Sequence, residues 1–95
     1  MRGKHIWGVV FALLLTACTT GNVVTEQEPI VIGQLAALSS FGAEWGGAER
    51  DAVALAVHQA NQNGGINGVP IKLIVEDTQS DFTPTLTGYA KLREQ

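Results

Sequence analysis

Apolar and polar positions change their spacing in steps along this chain, and each step marks the end of one element. Ile6 to Leu15 is a nearly unbroken apolar run, interrupted only by Gly8. Thr19 to Glu28 is polar and without period, and it ends at Pro29. Ile30-Val31-Ile32 is then β-branched and apolar without alternation, the pattern of a strand buried on both faces of a parallel sheet, and Gly33 and Gln34 carry it towards Leu35. From Ala36 to Gly42 the residues are small and hydroxylated, which predicts a loop at the carboxyl end of that strand.

Ala43 to Asn63 has helical spacing. At 100° per residue, Trp45, Ala48, Ala52, Leu55 and Ala56 share an arc, widened by Val53, Val57 and Ala60, with Arg50, Asp51, His58, Asn61 and Gln62 opposite. The first arc is the predicted buried side. Gly64-Gly65 supplies the positive φ of a helix C-cap. Gly46-Gly47 costs about 1 kcal/mol per glycine inside a helix, so either the helix starts late or a neighbouring backbone passes close there. Ile71 to Glu76 alternates as a second strand, with Ile71, Leu73 and Val75 on one face. Asp77 to Asp81 is a strand-end loop, and Asp81 or Thr83 caps a second helix with Pro84 in its first turn. Leu86, Tyr89 and Ala90 form that helix's predicted apolar side, with Leu92 at its margin.

Strand, helix, strand, helix is the opening of a doubly wound α/β lobe with parallel strands joined by a helical crossover. Two strands and two helices leave a sheet edge open, and below about 70 residues a single core is hard to stabilise without staples. Residues 29–95 are therefore expected to be the first part of a larger, truncated lobe, poorly folded in isolation.

The apolar run at the start is shorter than the roughly 20 residues needed to cross a bilayer core. With Arg2 and Lys4 before it and small residues after it, it reads as an export signal. Cys18 is the one cysteine, so no intramolecular disulfide forms. Leu15-Thr16-Ala17-Cys18 resembles the lipobox of bacterial lipoproteins. That resemblance implies cleavage of residues 1–17, acylation of Cys18, a tether over residues 18–28 and a membrane anchor facing the periplasm or the cell surface, since two or more acyl chains anchor stably. Thr19 after the cysteine favours outer-membrane sorting in a Gram-negative cell.

Cleavage removes Arg2 and Lys4 from six basic residues and leaves four against nine acidic ones. The remaining Arg50, Lys72, Lys91 and Arg93 are scattered, which argues against nucleic acid as a partner. An enzyme has little to be built from. No Gly-x-Gly-x-x-Gly follows the first strand, no His/Cys/Asp/Glu set has metal spacing, and His58 is the histidine left after processing. No cofactor is expected.

The run Gly64-Gly65-Ile66-Asn67-Gly68, followed at once by a strand and an Asp77-x-x-x-Asp81 loop, resembles the branched-chain amino-acid binding proteins of bacterial ABC transporters. The similarity extends over Ile30 to Gln95. Phe41-Gly42 matches the aromatic-Gly pair before the family's first helix, Ala48, Ala52, Leu55 and Ala56 match its Ala-rich helix, and Ala90-Lys91-Leu92 its second-helix ending. The chain departs from the pattern at Ala36-Ala37-Leu38, where relatives often carry Thr-Gly or Ser-Gly, and at Phe41, where they commonly carry Tyr.

The resemblance implies a type I periplasmic binding fold whose two lobes close on a small ligand, an amino acid or amide, and deliver it to ABC permease subunits. An anchored sensor or an envelope-assembly lipoprotein on the same fold, or a non-functional truncated fragment, is the rival reading, since fold alone does not fix function. Ligands of open α/β sheets sit outside the carboxyl ends of the strands. The expected ligand residues are Ser39, Ser40, Phe41 and Gly42: the serines hydrogen-bond a carboxylate, helix-start amides add positive charge, and Phe41 covers an apolar side chain. Ser39-Ser40 also reads as a plain turn and Phe41 as a core plug. Trp45 reads as packing, Asp77 as a loop brace, Asp81 as a helix cap and His58 as a solvated side chain.

Overall fold

The computed structural model describes Gly21 and residues 26–95; Cys18, the segment before it and most of the tether lie outside the described residues. Strand β1 runs Ile30–Ala36, a 3-10 turn spans Ser40–Gly42, helix α1 is Ala43–Gln62, strand β2 is Ile71–Asp77 and helix α2 is Phe82–Arg93. The strands pair in parallel from Ile30 opposite Ile71 to Ala36 opposite Asp77. This is the β-α-β-α opening of a doubly wound α/β lobe with parallel strands, as the hydrophobic pattern predicts.

Each helix packs on both strands, one on each face of the pair. Leu35 and Glu76, paired in register, meet α2 at Gly88, where an added Cβ would stand 3.0 Å from Leu35 Cδ2 and 3.1 Å from Glu76 Cβ. Alternation puts Ala36 and Ile71 on the opposite face, under α1. These two are the buried apolar residues among those described, Ala36 at 2% exposure.

The predicted helix faces need correction. Trp45 is 67% exposed and Leu55 57%, and Ala48, Ala52 and Ala56 are exposed with them. The stripe that meets the sheet is Gly46, Val53, Val57 and Ala60. Gly46 decides it: a Cβ there would collide with the backbone of Ala37, so the helix turns its glycine, and not its tryptophan, inward. Of the two readings of Gly46-Gly47, the close backbone is the one observed, because α1 already starts at Ala43.

Asn61, predicted on the solvated arc, completes the same face. Its amide donates to Ile71 O and accepts from Ile71 N, both at 2.8 Å, and so pins the start of β2 to the last turn of α1. In α2 the stripe is likewise rotated: Gly88 is buried and Leu92 half-buried against Gly33, whereas Phe82, Leu86 and Tyr89 are exposed. Arg93 lies 5.9 Å from the Tyr89 ring centroid, within cation–π range. Asp81 holds the N-cap position of α2 without a side-chain capping bond. At the C-terminus of α1, Gly64 and Gly65 take φ of 93° and 73° and return their N–H groups to Asn61 O and Ala60 O, the cap the sequence predicts.

Candidate functional site

Parallel pairing brings the loop after β1 and the loop after β2 to the same end of the sheet. Asp77, the last residue of β2, holds them together. Its Oδ1 accepts the N–H of Leu38 at 2.8 Å and of Gln79 at 2.8 Å, and its Oδ2 accepts the Ser39 hydroxyl at 2.7 Å. The Gln79 amide first, and the Ser39 hydroxyl next, hold the Asp77 carboxyl below its ordinary pKa against a smaller desolvation effect. The carboxylate is therefore the form that the loops are built around.

Ser80 ties a second point. Its Oγ accepts the Gly42 N–H at 3.0 Å and donates to Ser39 O at 3.1 Å. Thr78 N, bonded to Ala36 O at 2.9 Å, continues the strand pairing into the loops. Three residues here, Ser40, Gln79 and Ser80, have left-handed backbones with φ of 66°, 52° and 57°. Such conformations are unfavourable for residues with a Cβ and persist where surrounding contacts over-determine them.

The four expected ligand residues fall within this lashed edge. Ser39 is half-buried and its proton is committed to Asp77, so its Oγ has lone pairs left to offer and no donor. Ser40 is exposed, and Phe41 is 81% exposed among the described residues. Gly42 is buried, and its N–H is spent on Ser80. Asp77 is the loop brace that the sequence predicts. Trp45, read from the sequence as packing, stands exposed in the first turn of α1. His58 is exposed on α1.

The sequence model of the periplasmic binding protein family matches residues 29–95, the whole of both strands and both helices. The chain belongs to the periplasmic binding protein family. Searches of curated proteins and of solved structures return no match. Membership supports a solute-binding role in general and an exported location, with a small molecule as the partner class.

In this member of the periplasmic binding protein family, Ser80 is the residue of the edge that local sequence reasoning missed. Asp77 lies 38 positions from Ser39, as Ser80 does from Gly42. An open groove of about 220 Å³ runs along β2 and α2, lined by Glu76, Gln79, Thr83, Thr87 and Lys91 among others. Its opposite charges are used on each other, with Lys91 Nζ 3.1 Å from Glu76 Oε2. Among the described residues no helix is long and apolar enough to cross a membrane, and no cluster of His, Cys, Asp and Glu is placed to hold a metal.

Proposed function

We propose that this chain is the solute-binding lipoprotein of an ABC importer, anchored through Cys18, that captures a small amino acid or amide of the branched-chain class and hands it to a permease. The observation that carries the reading is the lashed edge at the strand carboxyl ends, within a family match over both strands. The edge offers an exposed Ser40 hydroxyl and an exposed Phe41 ring next to each other.

In this reading Ser40 donates to the ligand carboxylate, Phe41 covers its apolar side chain, and Ser39 Oγ accepts from its ammonium, because its own proton already goes to Asp77. Gly42 contributes by shape: a Cβ there would stand 2.8 Å from Ser80 Oγ and 2.9 Å from Ala37 Cβ, so a side chain would push the two loops apart. The exposed Trp45 indole adds a second aromatic surface at the start of α1. A second lobe closing over this edge would exclude water from the bound solute.

A thermal-shift screen of the full chain with leucine, isoleucine, valine, other amino acids and their amides tests the reading. A ligand at about 100 times its Kd stabilises the folded state by about 2.7 kcal/mol, so one ligand class raises the melting temperature and Phe41→Ala abolishes the rise. Equal melting curves with every ligand would reject the proposal.

A further inference from the structure

The turn that feeds β2 is built on an Asn-Gly pair, Asn67-Gly68. Ile66 and Val69 form an antiparallel bridge, with Ile66 N–H donating to Val69 O at 2.8 Å and Val69 N–H donating to Ile66 O at 2.9 Å. Asn67 and Gly68 between them have φ of 51° and 82°, so the turn is type I′, for which Asn-Gly is the preferred pair. Both residues are exposed, and a Cβ built on Gly68 would meet nothing within 4 Å. Among the described residues, the Gly68 N–H has no hydrogen-bond acceptor.

The chain carries a second Asn-Gly pair that serves as an internal control. Asn63-Gly64 is exposed too, but Gly64 N–H donates to Asn61 O at 3.1 Å inside the C-cap of α1. The two pairs have the same residues and the same access to water. They differ in whether the backbone nitrogen of the glycine is free.

That nitrogen is the nucleophile of deamidation. We propose that Asn67 is a selective deamidation site of the folded protein, converting ahead of Asn63. The Gly68 nitrogen attacks Asn67 Cγ and a new N–Cγ bond closes a five-membered succinimide. The Cγ–Nδ2 bond breaks, and the side-chain nitrogen leaves as ammonia after the Gly68 amide proton has passed to water. Water then adds to one of the two ring carbonyls and opens the imide to aspartate or isoaspartate. The sum is hydrolysis of an amide, with no oxidant or reductant.

At Asn63 the same attack first requires breaking the Gly64 bond and loosening the helix cap, a cost of about one hydrogen bond, which slows the reaction by about tenfold. The product at Asn67 carries a new negative charge. Where it is isoaspartate, the backbone gains a methylene in a turn that leads directly to Pro70, whose carbonyl accepts Ile30 N–H at 2.9 Å. The change is therefore placed where β2 is aligned with β1.

The full chain is aged in mildly alkaline buffer, and the peptide between Arg50 and Lys72, which holds both pairs, is sequenced by tandem mass spectrometry with isoaspartate identified by fragmentation. The expected result is conversion at Asn67 about tenfold faster than at Asn63, and convergence of the two rates in denaturant. A ratio near one in native buffer, or faster conversion at Asn63, would overturn the proposal.

Discussion

The two ends of the parallel strand pair are held together by different means. At the amino end, left-handed backbone falls on Gly64, Gly65, Gly68 and Asn67, residues that adopt it at little cost. The side-chain bonds there are short in sequence, with Asn61 reaching Ile71 across ten positions, and Ile30 N–H reaches Pro70 O as part of the strand pairing. At the carboxyl end, left-handed backbone falls on Ser40, Gln79 and Ser80, which pay for it, and the side-chain bonds between the two loops span 38 to 41 positions.

One end is stable by local residue choice. The other stores strain of order 1–3 kcal/mol per residue and depends on long-range bonds from Asp77 and Ser80 to keep it. Strain that a fold retains marks the end where shape is needed for something besides folding, and that is the end where a ligand of this sheet would sit.

The largest test of this contrast is Gly46→Val. The Ala37 backbone leaves no room for a side chain, so α1 lifts from the carboxyl end and the chain loses about 3 kcal/mol or more, read as a lowered urea midpoint. An unchanged midpoint would remove the close approach from the account. Next, Asn61→Ala deletes both bonds to Ile71 and leaves its backbone groups unpaired, costing about 1–3 kcal/mol at the amino end.

Glycine substitutions then distinguish the ends by sign. Ser40→Gly and Gln79→Gly relieve left-handed strain and stabilise by about 1 kcal/mol each, whereas Gly68→Ala destabilises by a similar amount. The same sign at both ends would erase the difference.

The smallest effect is the pH dependence of the Asp77 bonds. The folded pKa lies below the unfolded value of about 3.9. The contribution is therefore complete above that value and is lost as pH falls through the lower folded one. Amide exchange at Leu38 and Gln79 checks it: protection persists below the ordinary carboxylate range and then disappears, and Asp77→Asn removes the pH dependence.

The strands were legible from their β-branched apolar residues, although Ile30, Val31 and Ile32, expected to be buried on both faces, are 37–40% exposed among the described residues. The turn at Gly64–Gly68 was legible because its residue types admit few conformations. The buried face of α1 was not, for a physical reason. Ala48, Ala52, Ala54, Ala56 and Ala60 surround the helix with small apolar side chains, so periodicity points weakly in any direction, and one contact at Gly46 sets the rotation. Asn61 looked solvated because a side chain that bonds a distant backbone has no local signature. The same holds at the candidate site. Ser39 to Gly42 could be located from the strand end, but the bonds to Asp77 and Ser80, and the left-handed backbone at Ser40, arise only when two loops meet.

Amide chemical-shift mapping of the full chain with L-leucine tests the central claim most directly. The account predicts shifts confined to the carboxyl-end residues 38–45 and 77–80, with residues 64–70 unmoved. Shifts concentrated at residues 64–70, or none at all, would contradict it.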